Sequence, residues 1–235
     1  MNFVFHVTVS LTVLIVMFST GFSAGSNYCK DNWVLFFHAP SGNGEEVLKA
    51  WKTRHNNCDI VSGICPCFIS NGCLPPRVRF ETFKSSTKVL RSPYIDYWDC
   101  LKISKVKLEL SIQGKMVGFV EFDGRDSSSF NWFHKNRILN SSWTDMHKSQ
   151  TYNVFSIDQE SKYERHFFIN KHYNGCPNDS GWLVVKDGNL TNPCDWEKQT
   201  SYPQFLYGQH GQVTKWNDME YGKADVLNIY VQMGY

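Results

Sequence analysis

The chain has 235 residues, with 24 Lys and Arg against 22 Asp and Glu, and a formal net charge of +2. This near-neutral balance, with no Lys/Arg run, excludes a nucleic-acid footprint built on bulk charge, and the lack of Asp-rich tracts excludes mineral binding by a polyacidic surface. Aromatics make up 15% of the residues, including eight Trp, enough to fill a sizeable core, since each buried ring removes about 150–250 Å² from water.

Residues 3–18 form a nearly unbroken apolar run. Residues 7–18 have the length of a signal-peptide core, and small residues follow over 19–26. A signal peptide over 1–23 is the expectation, with cleavage after Ser23 or Ala24. The segment before the run carries His6 but no Lys or Arg, a departure from the usual pattern. A membrane anchor is the rival reading, but a spanning helix needs roughly 20 apolar residues and this run is shorter. No later stretch matches it, so the mature chain is expected to have no membrane span. Residues 226–235 alternate like a strand and are too short for a lipid-anchor signal.

All eight cysteines follow the leader: Cys29, Cys58, Cys65, Cys67, Cys73, Cys100, Cys176 and Cys194. An even count in an oxidising compartment predicts disulfides. Cys65-Pro-Cys67 with Cys73 has the wrong spacing for a zinc finger or ribbon, and no His pair follows it, so no metal is expected. Cys176 and Cys194 stand alone in the C-terminal half and are expected to pair. The other six then pair between Cys29 and Cys100, with the connectivity open.

Residues 33–39 read as a buried strand, 40–44 as a turn cluster, and 45–54 as a short amphipathic helix with acids in its first turn. Residues 56–76 are rich in Pro, Gly and Cys and carry no regular pattern. Residues 103–112 and 115–122 partly alternate around Gln113-Gly114, the clearest hairpin in the chain. Further strands are expected at 152–157, 164–170, 182–186 and 225–232, while 131–137 fits no single pattern. The fold class is therefore β-rich, mainly an antiparallel β-sandwich with one or two short helices, stabilised by disulfides. The organisation read from composition is a leader (1–23), a cysteine-rich N-terminal region (24–100) packing on the main domain, and an aromatic-rich β domain (101–235).

Three sequons, Asn140-Ser-Ser142, Asn178-Asp-Ser180 and Asn189-Leu-Thr191, predict N-glycosylation at exposed loops. Two loops, Asp123-Gly-Arg-Asp-Ser-Ser-Ser129 and Asp187-Gly-Asn189, offer the oxygens calcium prefers. Neither has the twelve-residue helix–loop–helix pattern, and the expectation is hydrophilic turns. His166 and His172 bracket a strand-like run, yet no His-x-x-x-His pair, Gly-x-Ser-x-Gly elbow or other catalytic motif occurs. No catalytic residue and no cofactor are assigned, and paired carboxylates far apart in sequence stay open. Trp132, Trp143, Trp182, Trp196, Tyr202, Tyr207 and Trp216 lie close to Asn, Asp and Gln, as in a lectin-like site that stacks flat rings on sugars. The alternative is that these rings fill the core.

Trp33-Val-Leu-Phe-Phe with Ser41-Gly-Asn-Gly44, Asn131-Trp-Phe, and Ser141-Ser-Trp-Thr-Asp145 carry a resemblance, as do three further blocks. These are Cys176-Pro-Asn-Asp-Ser-Gly-Trp-Leu-Val-Val185, Cys194-Asp-Trp-Glu-Lys198 with Tyr202-Pro-Gln-Phe-Leu-Tyr207, and Ala224-Asp-Val-Leu. Over most of the mature chain this resembles an uncharacterised secreted domain of cnidarians and other marine invertebrates, which includes coral skeletal organic matrix proteins. The segment 58–73 departs from it. The resemblance implies secretion and a calcified skeletal matrix, with matrix polymers or mineral-associated proteins as partners, and it implies no site residues. The expected function is a secreted structural or interaction protein of such a matrix, with glycan binding as the alternative.

Overall fold

The computed structural model describes residues 33–53, 87–173, 175–190 and 192–234, apart from the side chains of Pro93, Tyr97 and Cys100. Residues 1–32, which include the expected signal peptide and Cys29, together with Cys58, Cys65, Cys67, Cys73 and the Cys100 side chain, lie outside the described residues. Two antiparallel sheets face each other. The first has the order β2 (Leu90–Arg91), β1 (Trp33–Pro40), β12 (Val226–Met233), β3 (Ile103–Ile112), β4 (Lys115–Asp123) and β5 (Ile138–Ser141). The second runs β11 (Tyr221–Ala224), β9 (Gln204–Gly208), β8 (Ser180–Lys186), β7 (Arg165–His172) and β6 (Val154–Ser156), and β10 (Thr214–Lys215) pairs with the start of β8. One short helix, α1 (Val47–Lys52), and several 3-10 turns complete the described elements.

Alternation sets the faces of the first sheet. Val34, Val231, Val106, Phe122 and Ile138 form one cross-strand row that points inward. The neighbouring row, Leu35, Tyr230, Lys107, Glu121 and Asn140, points the other way. A one-residue slip would exchange the two, so burial pins the register. The β3–β4 hairpin turns on Gln113 and Gly114, both at positive φ (50° and 74°), the geometry whose twist suits a two-residue hairpin.

The inner face of the second sheet, including Phe167, Ile169, Leu183, Val185, Phe205 and Tyr207, closes the main core. At its centre Trp51, Trp98 and Trp132 pack mutually with ring centroids 6.1–6.3 Å apart. Trp51 also meets Phe167 edge-on at 5.9 Å. The indole N–H groups of Trp51 and Trp132 both donate to the Ser129 carbonyl, at 3.0 and 3.1 Å, so the cluster buries no unpaired donor of its own there. Residues from before and after position 100 thus share one core.

The helix is shorter than the pattern over 45–54 suggests. Glu45 and Glu46 precede it, and its first turn holds no acid. No side chain from Glu46 caps it. The cap comes instead from Asp187, far away in the chain.

A second, smaller core lies on the other face of the second sheet. Val154, Phe168, Val184 and Leu206 project there and are covered by Trp196, Trp216, Tyr221 and the Cys176–Cys194 pair. The sheet is therefore buried on both faces. This explains why β8 reads as a continuous apolar run rather than an alternating one.

Candidate functional site

The densest polar chemistry sits at the edge of this second core. Arg165 at the start of β7 and Lys186 at the end of β8 are paired across the two strands. Both are buried, at 3% and 0% exposure, and so are Asp179 and Glu197. Arg165 Nε donates to Glu197 Oε1 at 2.9 Å, and Arg165 Nη1 donates to Asp179 Oδ2 at 3.3 Å. Lys186 Nζ donates to the same Glu197 oxygen at 3.2 Å and to the Tyr163 carbonyl at 2.7 Å. The other Glu197 oxygen accepts from the Cys194 N–H at 2.9 Å. Asn170 bridges the remainder, donating to Asp179 at 2.7 Å and accepting from the Trp216 indole at 3.1 Å.

Two cations face two anions, so the cluster is neutral. Burial works against each charge, and the partners decide the outcome. Burial opposes the Arg165 charge, yet Glu197 and Asp179 hold its pKa above the ordinary value. Burial likewise pushes Glu197 up, but Arg165 and Lys186 leave its carboxyl below the usual range. Burial prevails at Asp179, which is raised to about 6, and at Lys186, which is lowered. The Arg165 guanidinium also lies 4.9 Å from the Trp196 ring centre and 5.4–5.6 Å from Tyr163, Phe168 and Tyr173.

The Cys176–Cys194 disulfide closes the chain over this cluster, joining the two short turns 176–178 and 195–197. The pair expected from sequence is therefore formed.

A second polar group lies at the β7–β8 edge beneath α1. Asp187 accepts from the N–H groups of Val47 and Leu48. His166 Nε2 is 3.5 Å from both Asp187 and Glu164. Its Nδ1 has no hydrogen-bond partner, and His166 is only 2% exposed. Burial lowers His166 to about 4 and raises Asp187 to about 7, each in favour of its neutral form. No hydroxyl or thiol is hydrogen-bonded to His166 among the described residues. His172, the other histidine of this run, is exposed at the end of β7.

The two oxygen-rich loops are filled from within. Arg137 donates to the carbonyls of Asp123, Arg125 and Asp126 at 3.1, 2.7 and 2.9 Å. Arg125 grips the Asp123 carboxylate, lowering its pKa to about 2. A guanidinium therefore occupies the carbonyl cradle of the 123–129 loop. Asp187 in the other loop is committed to α1. Among the described residues no group of three His, Cys, Asp or Glu is placed to hold a metal.

Trp132, Trp143, Trp182, Trp196 and Trp216 are each at most 2% exposed. They are core residues and cannot stack on a sugar. Tyr207 is also buried, with its ring against Gly222, where any Cβ would run into it. Tyr202 is half-buried, and its hydroxyl donates to the Glu197 carbonyl at 3.1 Å and accepts from the Gln199 N–H at 3.2 Å. Asn140, Asn178 and Asn189 are all exposed. Among the described residues no helix is long and apolar enough to cross a membrane.

The buried charges have only faint signals in the sequence. Glu197 stands three residues after Cys194, at the spacing of a helix-capping pair. Lys186 ends an apolar run and looks like a solvent-facing strand terminus. Nothing local marks Arg165 or Asp179.

No protein-family model matches the chain, and neither a curated protein nor a solved structure matches it. Its class is defined by its own geometry: among the described residues it is β-rich, with two antiparallel sheets, one short helix, 3-10 turns and the Cys176–Cys194 disulfide.

Proposed function

We propose that the protein is a secreted structural and interaction module of an extracellular matrix, a component of a calcified skeletal organic matrix. The Cys176–Cys194 disulfide carries this reading, because structural disulfides persist in oxidising compartments and are rare where thiols are kept reduced. Three exposed sequon asparagines support it, as does the apolar leader. So does the likeness to secreted matrix proteins carried by 176–198 and 202–207. The physical role is that of a rigid body, with two cores and neutralised buried charges, trapped among matrix polymers or mineral-associated proteins. Its charge of +2 assigns it to the scaffold rather than to an acidic nucleating surface.

Fractionation of source tissue with thiol labelling tests this. The expected result is mature protein in the extracellular or mineral-bound fraction, with Cys176 and Cys194 resistant to alkylation before reduction. Recovery only from intracellular fractions, with both thiols free, would overturn it.

A further inference from the structure

We propose that an N-linked glycan on Asn140 shields the β5 edge of the first sheet and prevents strand-to-strand pairing between two copies of the chain. A sheet edge presents unpaired backbone groups to any passing strand, and stable proteins blunt it with brevity, charge, proline or cover. Among the described residues the two sheet paths, the two-residue β10 aside, end in four strands, and three are blunted in recognisable ways. β2 has two residues, Leu90 and Arg91, both buried. β6 has three, none of them exposed. β11 carries Lys223, which is exposed and holds Gln199 at 2.7 Å.

β5 differs. Its sequence, Ile-Leu-Asn-Ser, has no charge and no proline. Glu121 opposes Asn140 and Phe122 opposes Ile138, so Leu139 faces no partner on β4. That bulge twists the strand but leaves Leu139 46% exposed at the rim. An uncharged edge with an open leucine is the arrangement that invites pairing.

Asn140 sits beside that leucine and is itself exposed. Its Oδ1 accepts from the Ser141 N–H at 2.9 Å, while its Nδ2 donates to no described residue. Nδ2 is the atom that takes the sugar. The donor is a lipid-diphosphate-linked oligosaccharide: the bond from Nδ2 to the anomeric carbon forms as the carbon–oxygen bond to the diphosphate breaks, and one amide proton leaves with the diphosphate. A branched, hydrated polymer anchored there fills the space a second strand would enter.

This proposal rests on the secretory reading, and one experiment separates the two. The full chain is expressed in a secreting eukaryotic cell and its glycopeptides are read by mass spectrometry. Glycan at Asn140 is expected. Protein recovered from the medium with Asn140 bare would overturn the edge shield alone, and protein retained inside the cell with Cys176 and Cys194 as free thiols and no glycan at any of the three would overturn both readings. Light scattering then compares the parent, Asn140→Gln, and Leu139→Lys combined with Asn140→Gln. At roughly 100 µM the monomer fraction of Asn140→Gln should fall by about half or more, and the added edge lysine should restore it. An Asn140→Gln variant as monomeric as the parent, or association that Leu139→Lys does not reverse, would overturn the proposal.

Discussion

Asp187 holds the start of α1 at Val47, accepting its backbone N–H at 2.9 Å and that of Leu48 at 2.8 Å, across 140 and 139 residues of chain. A six-residue helix is marginal alone, so this contact fixes both its position and its first turn. Asp187→Ala leaves two buried donors unpaired and should cost about 2–4 kcal/mol in urea unfolding. Trp51 lies on the same helix, so the near-ultraviolet dichroism of the Trp51–Trp98–Trp132 cluster should weaken as well. A loss under about 0.5 kcal/mol, typical of a surface change, would refute the capping role.

The His166–Asp187 contact predicts two pH dependences of opposite sign. Burial lowers His166 from 6.5 to about 4, so the unfolded chain takes up the proton first as pH falls. The His166 contribution is complete above pH 6.5 and is lost as pH falls through 4. Burial raises Asp187 from 3.8 to about 7, so its contribution is complete below pH 3.8 and is lost as pH rises through 7. Over the shared window the slopes oppose and the parent is nearly flat with respect to this pair. Relative to the parent, His166→Gln should be most destabilised near neutral pH and recover towards pH 4. Asp187→Asn should be most destabilised near pH 4 and recover above 7. The swing should be on the order of 2–3 kcal/mol in each. Parallel profiles for the two variants would rule out this arrangement.

The elements legible in the sequence are those whose pattern is local and long enough. β3 and β4 alternate over ten and nine residues around a two-residue turn, and the structure places them at 103–112 and 115–123. β5, β9 and β11 escape notice for different reasons. β5 has four residues and a bulge. β9 is a short apolar run with no alternation, because both of its faces are buried. β11 carries Gly222, which strands avoid unless a neighbour such as Tyr207 needs the space. The Cys176–Cys194 pair was legible because two isolated cysteines leave one pairing. The buried charges were not, because Arg165, Asp179, Lys186 and Glu197 neutralise one another only once β7, β8 and the turn at 195–197 are assembled. The tryptophans near polar residues suggest stacking platforms in sequence and prove to be core, since neighbours along the chain do not report which face a ring takes.

Glu197 holds two buried cations at once, so its removal should be felt twice. Glu197→Gln leaves Arg165 and Lys186 facing Asp179 alone and should cost about 3–5 kcal/mol. Adding Lys186→Met removes the surplus cation and should recover part of that loss. In a double-mutant cycle the two changes should depart from additivity by about 1 kcal/mol or more. Additive costs would show that Lys186 and Glu197 do not interact across their 3.2 Å contact.

Reduction of Cys176–Cys194 should loosen one core and spare the other. The bond closes a separation of 18 residues, worth about 3 kcal/mol in the chain-entropy description. Trp196 and Trp216 lie under it, in the smaller core, whereas Trp51, Trp98, Trp132, Trp143 and Trp182 lie in the larger one. Paired Cys176→Ser and Cys194→Ser changes should therefore raise quenching of Trp196 and Trp216 by acrylamide, leave the five tryptophans of the larger core protected, and leave the half-buried Trp33 as it was. Hydrogen exchange gives the same reading by segment, with faster exchange over 195–197 and 216–218 than in β3 and β12. Uniform acceleration through both sheets would mean that the disulfide stabilises the molecule only as a whole.

The loop at 123–126 offers calcium its preferred carbonyl oxygens, yet Arg137 already sits among three of them. A guanidinium satisfies those carbonyls with fixed charge and no exchangeable ion, and the same oxygens cannot serve calcium while it remains. Added calcium should therefore leave the melting temperature of the parent unchanged. Arg137→Ala strips the cradle of its donors and should cost about 1–3 kcal/mol, because three carbonyls must then find water. Arg137→Lys should recover only part of this, since one ammonium cannot reproduce the spread of a planar fork. Only in Arg137→Ala is the cradle open to a cation, so any calcium-dependent rise in melting temperature should appear there and not in the parent. A rise of equal size in the parent would show that calcium binds elsewhere in the chain and that Arg137 does not stand in its place.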